Sequence, residues 1–379
     1  MECDDLVHGE QILNHYNNKK ARELLMKTKD FCININNFEN ELRSLASIKK
    51  VDDYGMFQMT YFGDYGFDDF LKVGAKNDSE LERHVSERVY RGMPIKLNLA
   101  GGGCTVFAAR NAAGEVIFAR NYDFPLYSPP LQLITRPDNG YASVSTVSLL
   151  YMDYDANYLP SGPNSDSFAT LAAPYIPADG VNEKGVAIAL LAVPEAKPPF
   201  CENKITLNTT TAVRLVLDKA ASVNEAVELL RQYNIFFSCN ISCHFLIADV
   251  SGRSVLVSYW DDDLKVTETN DPFQIASNFI AYNDLNIGYG ACEFDRYNQV
   301  KVALESSGGT LNETQVIDLL AKVGVASPEA SEEWSTIYNS SSSELHAGLQ
   351  WSTIYNLSTL KGTIFANRNS DNLINFSIT

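Results

Sequence analysis

The sequence has no run of 18 apolar residues, so no membrane-spanning helix is expected. Positive charge is scarce: 30 Lys and Arg stand against 47 Asp and Glu, a net charge of −17. Non-specific nucleic-acid binding needs Lys and Arg along a groove, so an acidic chain is a poor candidate for it. The opening Met1-Glu-Cys-Asp-Asp lacks the basic start and apolar block of a secretory signal. The expectation is a protein that stays inside the cell, or a secreted one whose leader has been trimmed. Cysteine is sparse and odd in number: Cys3, Cys32, Cys104, Cys201, Cys239, Cys243 and Cys292. That scatter does not suggest a disulfide framework. Cys239-x-x-x-Cys243-His244 has metal-binding residue types but lacks the second half of a zinc site. Cys243 to Ala248 reads instead as a buried strand, and no metal is expected.

What the chain does have is 379 residues with 45% apolar content, enough for two average domains or one large one with an appendage. The stretch with the most chemistry follows Gly101-Gly102-Gly103-Cys104. Val106, Phe107, Val116, Ile117 and Phe118 form two apolar runs around Asn111-Ala-Ala-Gly114, which reads as a β-hairpin. Cys104 opens the first strand, while Arg120 and Asp123 end the second. A hairpin returns its second strand beside the start of the first, so the three side chains are expected to meet. A thiol beside a fixed cation suits a nucleophilic cysteine, because the thiolate attacks and the cation favours it.

This hairpin resembles the choloylglycine hydrolase family, N-terminal-nucleophile amide hydrolases that include bile salt hydrolases, penicillin V acylases and isopenicillin acyltransferases. In that family a cysteine becomes the first residue of the mature chain, and an Arg-Asn-x-Asp pattern follows on the next strand. Cys104, Arg120 and Asp123 stand at those places. Gly180-Val-Asn182-Glu-Lys-Gly185 is similar to a family block whose Asn is an oxyanion donor, the role the resemblance implies for Asn182. On its own, such an Asn also suits a tight turn. Gln274-Ile-Ala-Ser-Asn278-Phe279 resembles the block with a second pocket Asn, and Arg296 stands where a second family arginine would be. Only 17 residues separate Asn278 from Arg296, where bile salt hydrolases carry a long loop, so the resemblance leaves bile salts as one of several N-acyl amide substrates, beside acylated amino acids and phenoxyacetyl-type amides.

The resemblance implies an α+β fold, the four-layer αββα sandwich of N-terminal-nucleophile hydrolases, over residues 104–379. Residues 1–103 then form a helical prosegment. Gln11 to Lys29 and Glu41 to Lys50 read as helix, with four Asn interrupting between 34 and 40. The aromatics from Tyr54 to Phe70 read as a mini-core, and Asp78-Ser-Glu80 opens another helix. Further on, Asn208 to Tyr233 reads as a helix pair, with Ser222-Val-Asn-Glu225 as a capping box. Thr310-Leu-Asn-Glu313 reads as a second box. Trp334-Ser-Thr-Ile-Tyr-Asn339 recurs as Trp351-Ser-Thr-Ile-Tyr-Asn356, a single echo rather than a solenoid.

The implied mechanism begins with self-cleavage before Cys104, where glycines offer no side chain to obstruct the attack. The freed α-amine, with a pKa of about 7.7–8.0, serves as general base. The thiolate attacks a linear amide carbonyl, Asn182 and Asn278 hold the oxyanion, Asp123 orients the amine and Arg120 supports the sulfur. Arg120→Ala and Asp123→Asn are expected to fold but lose hydrolysis. The substrate is a small-molecule N-acyl amide, no metal or organic cofactor is required, and a homo-oligomer is compatible with the sequence. An acyltransferase using the same site is an alternative, and so is an unprocessed, non-catalytic binding protein. A papain-like protease pairing Cys104 with His244 is disfavoured, because that cysteine should open a helix within a Cys-Gly-x-Cys-Trp-like block.

Overall fold

The computed structural model describes residues 35–92, 94–97, 102–124, 126–155, 157–162, 165–282, 285–288, 292–325 and 348–378. The expected helix at Gln11–Lys29 and the first Trp-Ser-Thr-Ile-Tyr-Asn copy lie outside them. Before the cysteine come α1 (Ile35–Ala46), β1 (Lys49–Lys50), β2 (Phe57–Tyr61), α2 (Phe67–Val73) and α3 (Asp78–Val89). Next are β3 (Gly103–Arg110), β4 (Val116–Phe124), β5 (Pro130–Thr135), β6 (Ser143–Ser148), β7 (Asp179–Asn182) and β8 (Ala187–Ala192). The middle holds β9 (Thr206–Asn208), α4 (Thr209–Lys219), α5 (Val223–Arg231), β10 (Asn234–Phe236), β11 (Cys243–Ala248), β12 (Ser254–Trp260) and β13 (Asp263–Thr267). The chain closes with β14 (Gln274–Ser277), β15 (Phe279–Tyr282), β16 (Leu285–Gly288), α6 (Cys292–Ser306), α7 (Glu313–Val323), β17 (Gly348–Asn356), β18 (Lys361–Ala366) and β19 (Ile374–Ser377).

Two sheets carry the molecule. A nine-stranded sheet runs β1-β2-β5-β6-β7-β8-β11-β12-β13, and a six-stranded sheet runs β14-β3-β4-β17-β18-β19. Their inner faces pack together, α4 and α5 cover the outer face of the first, and α6 and α7 cover that of the second. This is the expected α, β, β, α layering. A sheet buried on both faces needs apolar residues at successive positions. Strands β3 and β4 meet that need, with only Arg110 at the turn end of the hairpin partly exposed. Their side chains divide by parity. Cys104, Val106, Phe118 and Tyr122 join the core between the sheets, while Phe107, Ala109, Ile117 and Ala119 join a second core under α6 and α7. The hairpin turn is set by Asn111, whose Oδ1 accepts the N–H groups of Ala113 and Glu115, and by Gly114 at φ 79°.

Several local expectations need correction. The Asn-rich stretch does not interrupt a helix: α1 starts at Ile35 and runs through it. The aromatic cluster is not a separate mini-core. Tyr61, on β2 in parallel pairing with β5, belongs to the main core together with Tyr65 and with Phe67 and Phe70 of α2. The segment before Cys104 therefore supplies strands as well as helices. Helix α7 is capped by Asn312 with Gln315, two residues beyond the expected box. Ser222 does cap α5, accepting the N–H of Glu225. Among the described residues, no helix is long and apolar enough to cross a membrane.

Candidate active site

Cys104 lies near the start of β3, at 1% exposure, directly opposite Tyr122 on β4. Arg120 is two residues before Tyr122 on the same strand face, and its Nη2 donates to the Cys104 sulfur at 3.3 Å. The same nitrogen donates to Leu190 O at 3.1 Å. Nη1 donates to Ala178 O at 2.7 Å and forms a fully buried ion pair with Asp179 Oδ2 at 2.6 Å. The guanidinium also lies 5.0 Å from the Tyr122 ring, which stacks on Trp351 at 3.9 Å. Burial pushes the Cys104 thiol up, and the Arg120 charge and hydrogen bond only partly offset that rise.

The expectation that Cys104, Arg120 and Asp123 meet is only partly met. Arg120 and Asp123 differ by three positions, an odd number, so strand alternation sends them to opposite faces. Asp123 points under α6 and α7. There Oδ2 pairs with Arg296 Nη1 at 3.2 Å, and Oδ1 accepts the N–H of Val325 at 2.9 Å. Burial raises the Asp123 carboxyl, with Arg296 the main opposing influence.

The backbone nitrogen of Cys104 donates to Asn278 Oδ1 at 2.5 Å. Arg296 Nη2 also donates to that oxygen, at 2.9 Å, while its Nη1 reaches Thr105 Oγ1 at 2.8 Å. Asn278 Nδ2 donates to Gly102 O at 3.2 Å and to Ala192 O at 2.8 Å. One amide therefore touches the chain on both sides of Gly103. Ser277 Oγ completes the hold by donating to Cys104 O at 3.1 Å. Gly102 is needed for close approach: a Cβ there would lie 2.3 Å from Asp123 O.

Asn182 is not brought to this site. Its Nδ2 donates to Leu217 O and Ala220 O at the end of α4, and its Oδ1 accepts the N–H groups of Lys184 and Val186. It shares the helix-facing side of β7 with Gly180, where an added Cβ would lie 2.9 Å from Leu217. The oxyanion role is thus replaced by the turn role. Strand parity instead places Asp179 on the inner face, a residue that sequence reasoning missed. Its only signal is a position three residues before Asn182, an odd offset from a residue that proved to face the helices. Trp351 and Tyr355 on β17 also reach Asp179, donating at 3.3 Å and 2.5 Å.

His244 is buried on β11, with Nε2 on Ser277 O at 3.0 Å rather than on the thiol. Burial lowers it to about 4, so the neutral ring donates from Nε2. Cys243 is buried and Cys239 is exposed, in keeping with the strand reading of that stretch. No group of three or more His, Cys, Asp or Glu that could hold a metal occurs among the described residues.

The two packed sheets and their outer helices form a four-layer αββα sandwich, the fold found in N-terminal-nucleophile hydrolases. The chain superposes on a variant of the conjugated bile acid hydrolase of Clostridium perfringens with a TM-score of 0.51 and 17% identity, covering 73% of this chain and 92% of that one. The penicillin V acylase of Agrobacterium tumefaciens superposes with a TM-score of 0.48 and 17% identity, covering 69% and 83%. Residues 104–288 match the family model of the linear amide C-N hydrolases, choloylglycine hydrolase family. The chain is 29% identical over 176 residues to a bile salt hydrolase/transferase of Clostridium perfringens (strain 13 / Type A). That alignment covers 44% of this chain and 51% of the relative, so the chain spans about half the length of the curated relative it matches.

Proposed function

We propose that the protein is a linear amide C-N hydrolase whose nucleophile is the Cys104 thiol and which is activated by cleavage of the Gly103–Cys104 bond. The observation that carries this reading is the clamp on Cys104. Its sulfur sits 3.3 Å from Arg120 Nη2, and its nitrogen is held on Asn278 Oδ1. In the intact chain that nitrogen is a peptide N–H. Cleavage makes it an α-amine, attached to the residue whose thiol proton it must take.

The steps follow from these positions. The amine takes the thiol proton, and the sulfur adds to the carbonyl carbon of an N-acyl amide. The resulting oxyanion needs a donor, and Asn278 Nδ2 is the side-chain amide at hand. Its bond to Gly102 O is released once the leader end withdraws. The ammonium of Cys104 then gives its proton to the departing amine, leaving a thioester that water resolves. Arg296 orients Asn278 through Oδ1, and Asp123 orients Arg296.

Acyl transfer is a second reading, favoured by the hydrolase/transferase description of the relative: an amine in place of water would resolve the same thioester. Amine release from a panel of N-acyl amides, with and without a second amine, tests both. Release by the wild-type chain and none by Cys104→Ser is expected. Equal release by the two would remove the cysteine mechanism.

A further inference from the structure

The guanidinium beside the thiol is not a lone charge. Asp179 accepts from Arg120 Nη1 at 2.6 Å, leaving Nη2 for the sulfur. The carboxylate is itself fixed from the opposite sheet, by Tyr355 OH on Oδ1 and Trp351 Nε1 on Oδ2. Arg120, Asp179 and Trp351 have no exposed surface, and Tyr355 is 1% exposed. Three strands from two sheets thus converge on one ion pair behind the sulfur.

We propose that Asp179 is a positioning residue of this site: its carboxylate fixes the Arg120 guanidinium against the Cys104 sulfur and offsets its charge, so that the thiol keeps its proton until the α-amine takes it. The proposal rests on Cys104 being the nucleophile. An unpaired buried guanidinium would draw the thiol toward thiolate. A standing thiolate would release to solvent the proton that must later reach the leaving amine. The pair with Asp179 is neutral overall, and burial then dominates the thiol, as the upward direction at Cys104 agrees. Other groups face the sulfur as well. Tyr122 comes from β4, Tyr151 from the turn after β6 and Cys243 from β11, while Asp123 and Arg296 act from the far side of the hairpin.

The test is the thiolate ultraviolet absorbance of the full-length chain against pH, with Cys104→Ser subtracted in each background. Asp179→Asn should lower the titration midpoint by about one pH unit, the scale of a nearby charge becoming uncompensated. Asp179→Glu, which keeps the charge, should stay near the wild-type midpoint. A folded Asp179→Asn with an unchanged or raised midpoint overturns the proposal. So does loss of thermal stability in both variants with no movement of the midpoint, the mark of a purely structural residue. If Asp179→Asn does not fold, Tyr355→Phe serves instead. It removes a donor from Oδ1 and leaves more of the carboxylate charge on Arg120, so the midpoint should rise; no change or a fall overturns the idea. None of these readings uses turnover. Hydrolysis persisting in Cys104→Ser would sink the functional reading while the titration still reported on Asp179.

Discussion

Arg120 and Asp123 lie on one strand, three residues apart, and point to opposite faces of the six-stranded sheet. Arg120 reaches across the inner core to Asp179 on β7, and Asp123 reaches outward to Arg296 on α6. Each face of the hairpin thus carries its own buried ion pair, one behind the sulfur and one behind Asn278.

The inner pair makes Arg120 a structural residue as well as a neighbour of the thiol. Removing one partner of a buried pair strands the other charge, at a cost of about 3–5 kcal/mol. Arg120→Ala should therefore lose stability on that scale, which replaces the expectation that it folds normally. Denaturant unfolding measures this; a loss under about 1 kcal/mol would show that the pair is not buried as described.

Asp123→Asn acts through Arg296 and Asn278 rather than on the thiol. It should slow amide turnover by on the order of 100-fold, as misplacing a catalytic group by about 1 Å does. The Cys104 titration midpoint should move little. Steady-state turnover by pre-cleaved protein, paired with the thiol titration, checks this. A large midpoint shift with normal turnover would assign Asp123 to the sulfur instead.

Asn182 and Asn278 should separate cleanly. Asn182→Ala leaves two carbonyls and two N–H groups of the β7–β8 turn and the α4 end without partners. It should cost about 2–3 kcal/mol of stability while turnover per folded molecule persists. Asn278→Ala should lower kcat by on the order of 100-fold or more, the usual cost of losing an oxyanion donor. Unfolding curves and kcat on the same preparations decide between these roles. Reversed effects would return Asn182 to the site.

His244 predicts an acid limb of stability. Its folded value of about 4 lies below the 6.5 usual for histidine. Between those values the unfolded chain binds the proton and the folded chain does not. Stability from this group is therefore present above pH ~6.5 and is lost as the pH falls toward 4. The full difference is about 3 kcal/mol. His244→Gln, which can still donate to Ser277 O, should flatten the stability profile across that window and leave amide turnover in place. Loss of turnover would revive the Cys–His reading.

Cleavage before Cys104 should not release the leader. Strand β2 lies inside the nine-stranded sheet, between β1 and β5, and Phe57, Met59 and Tyr61 are buried there. The two pieces should co-elute on gel filtration and part only in denaturant. Spontaneous separation would mean that β2 is not held as the structure has it.

The sequence by itself determined the hairpin, the cysteine that opens it and the Arg-Asn-Tyr-Asp run that closes it. Apolar runs, a Gly-bearing turn and the Ser222 cap are local signals, readable without knowledge of what packs against them. Period-2 alternation was equally legible and separates Arg120 from Asp123, although only the observed layers say what each face meets. Tertiary structure alone decided the rest. Asp179 has no local mark as a partner of Arg120, because their pairing spans two sheets, and the same holds for Trp351 and Tyr355. The Gly-Val-Asn-Glu-Lys-Gly block suits a tight turn and an oxyanion donor equally well as a string of residues. What settles Asn182 is the placement of α4, whose terminal carbonyls take both of its donor hydrogens. The leader's strands escaped notice for a similar reason, since a short aromatic run pairs as β only when a partner such as β5 lies beside it.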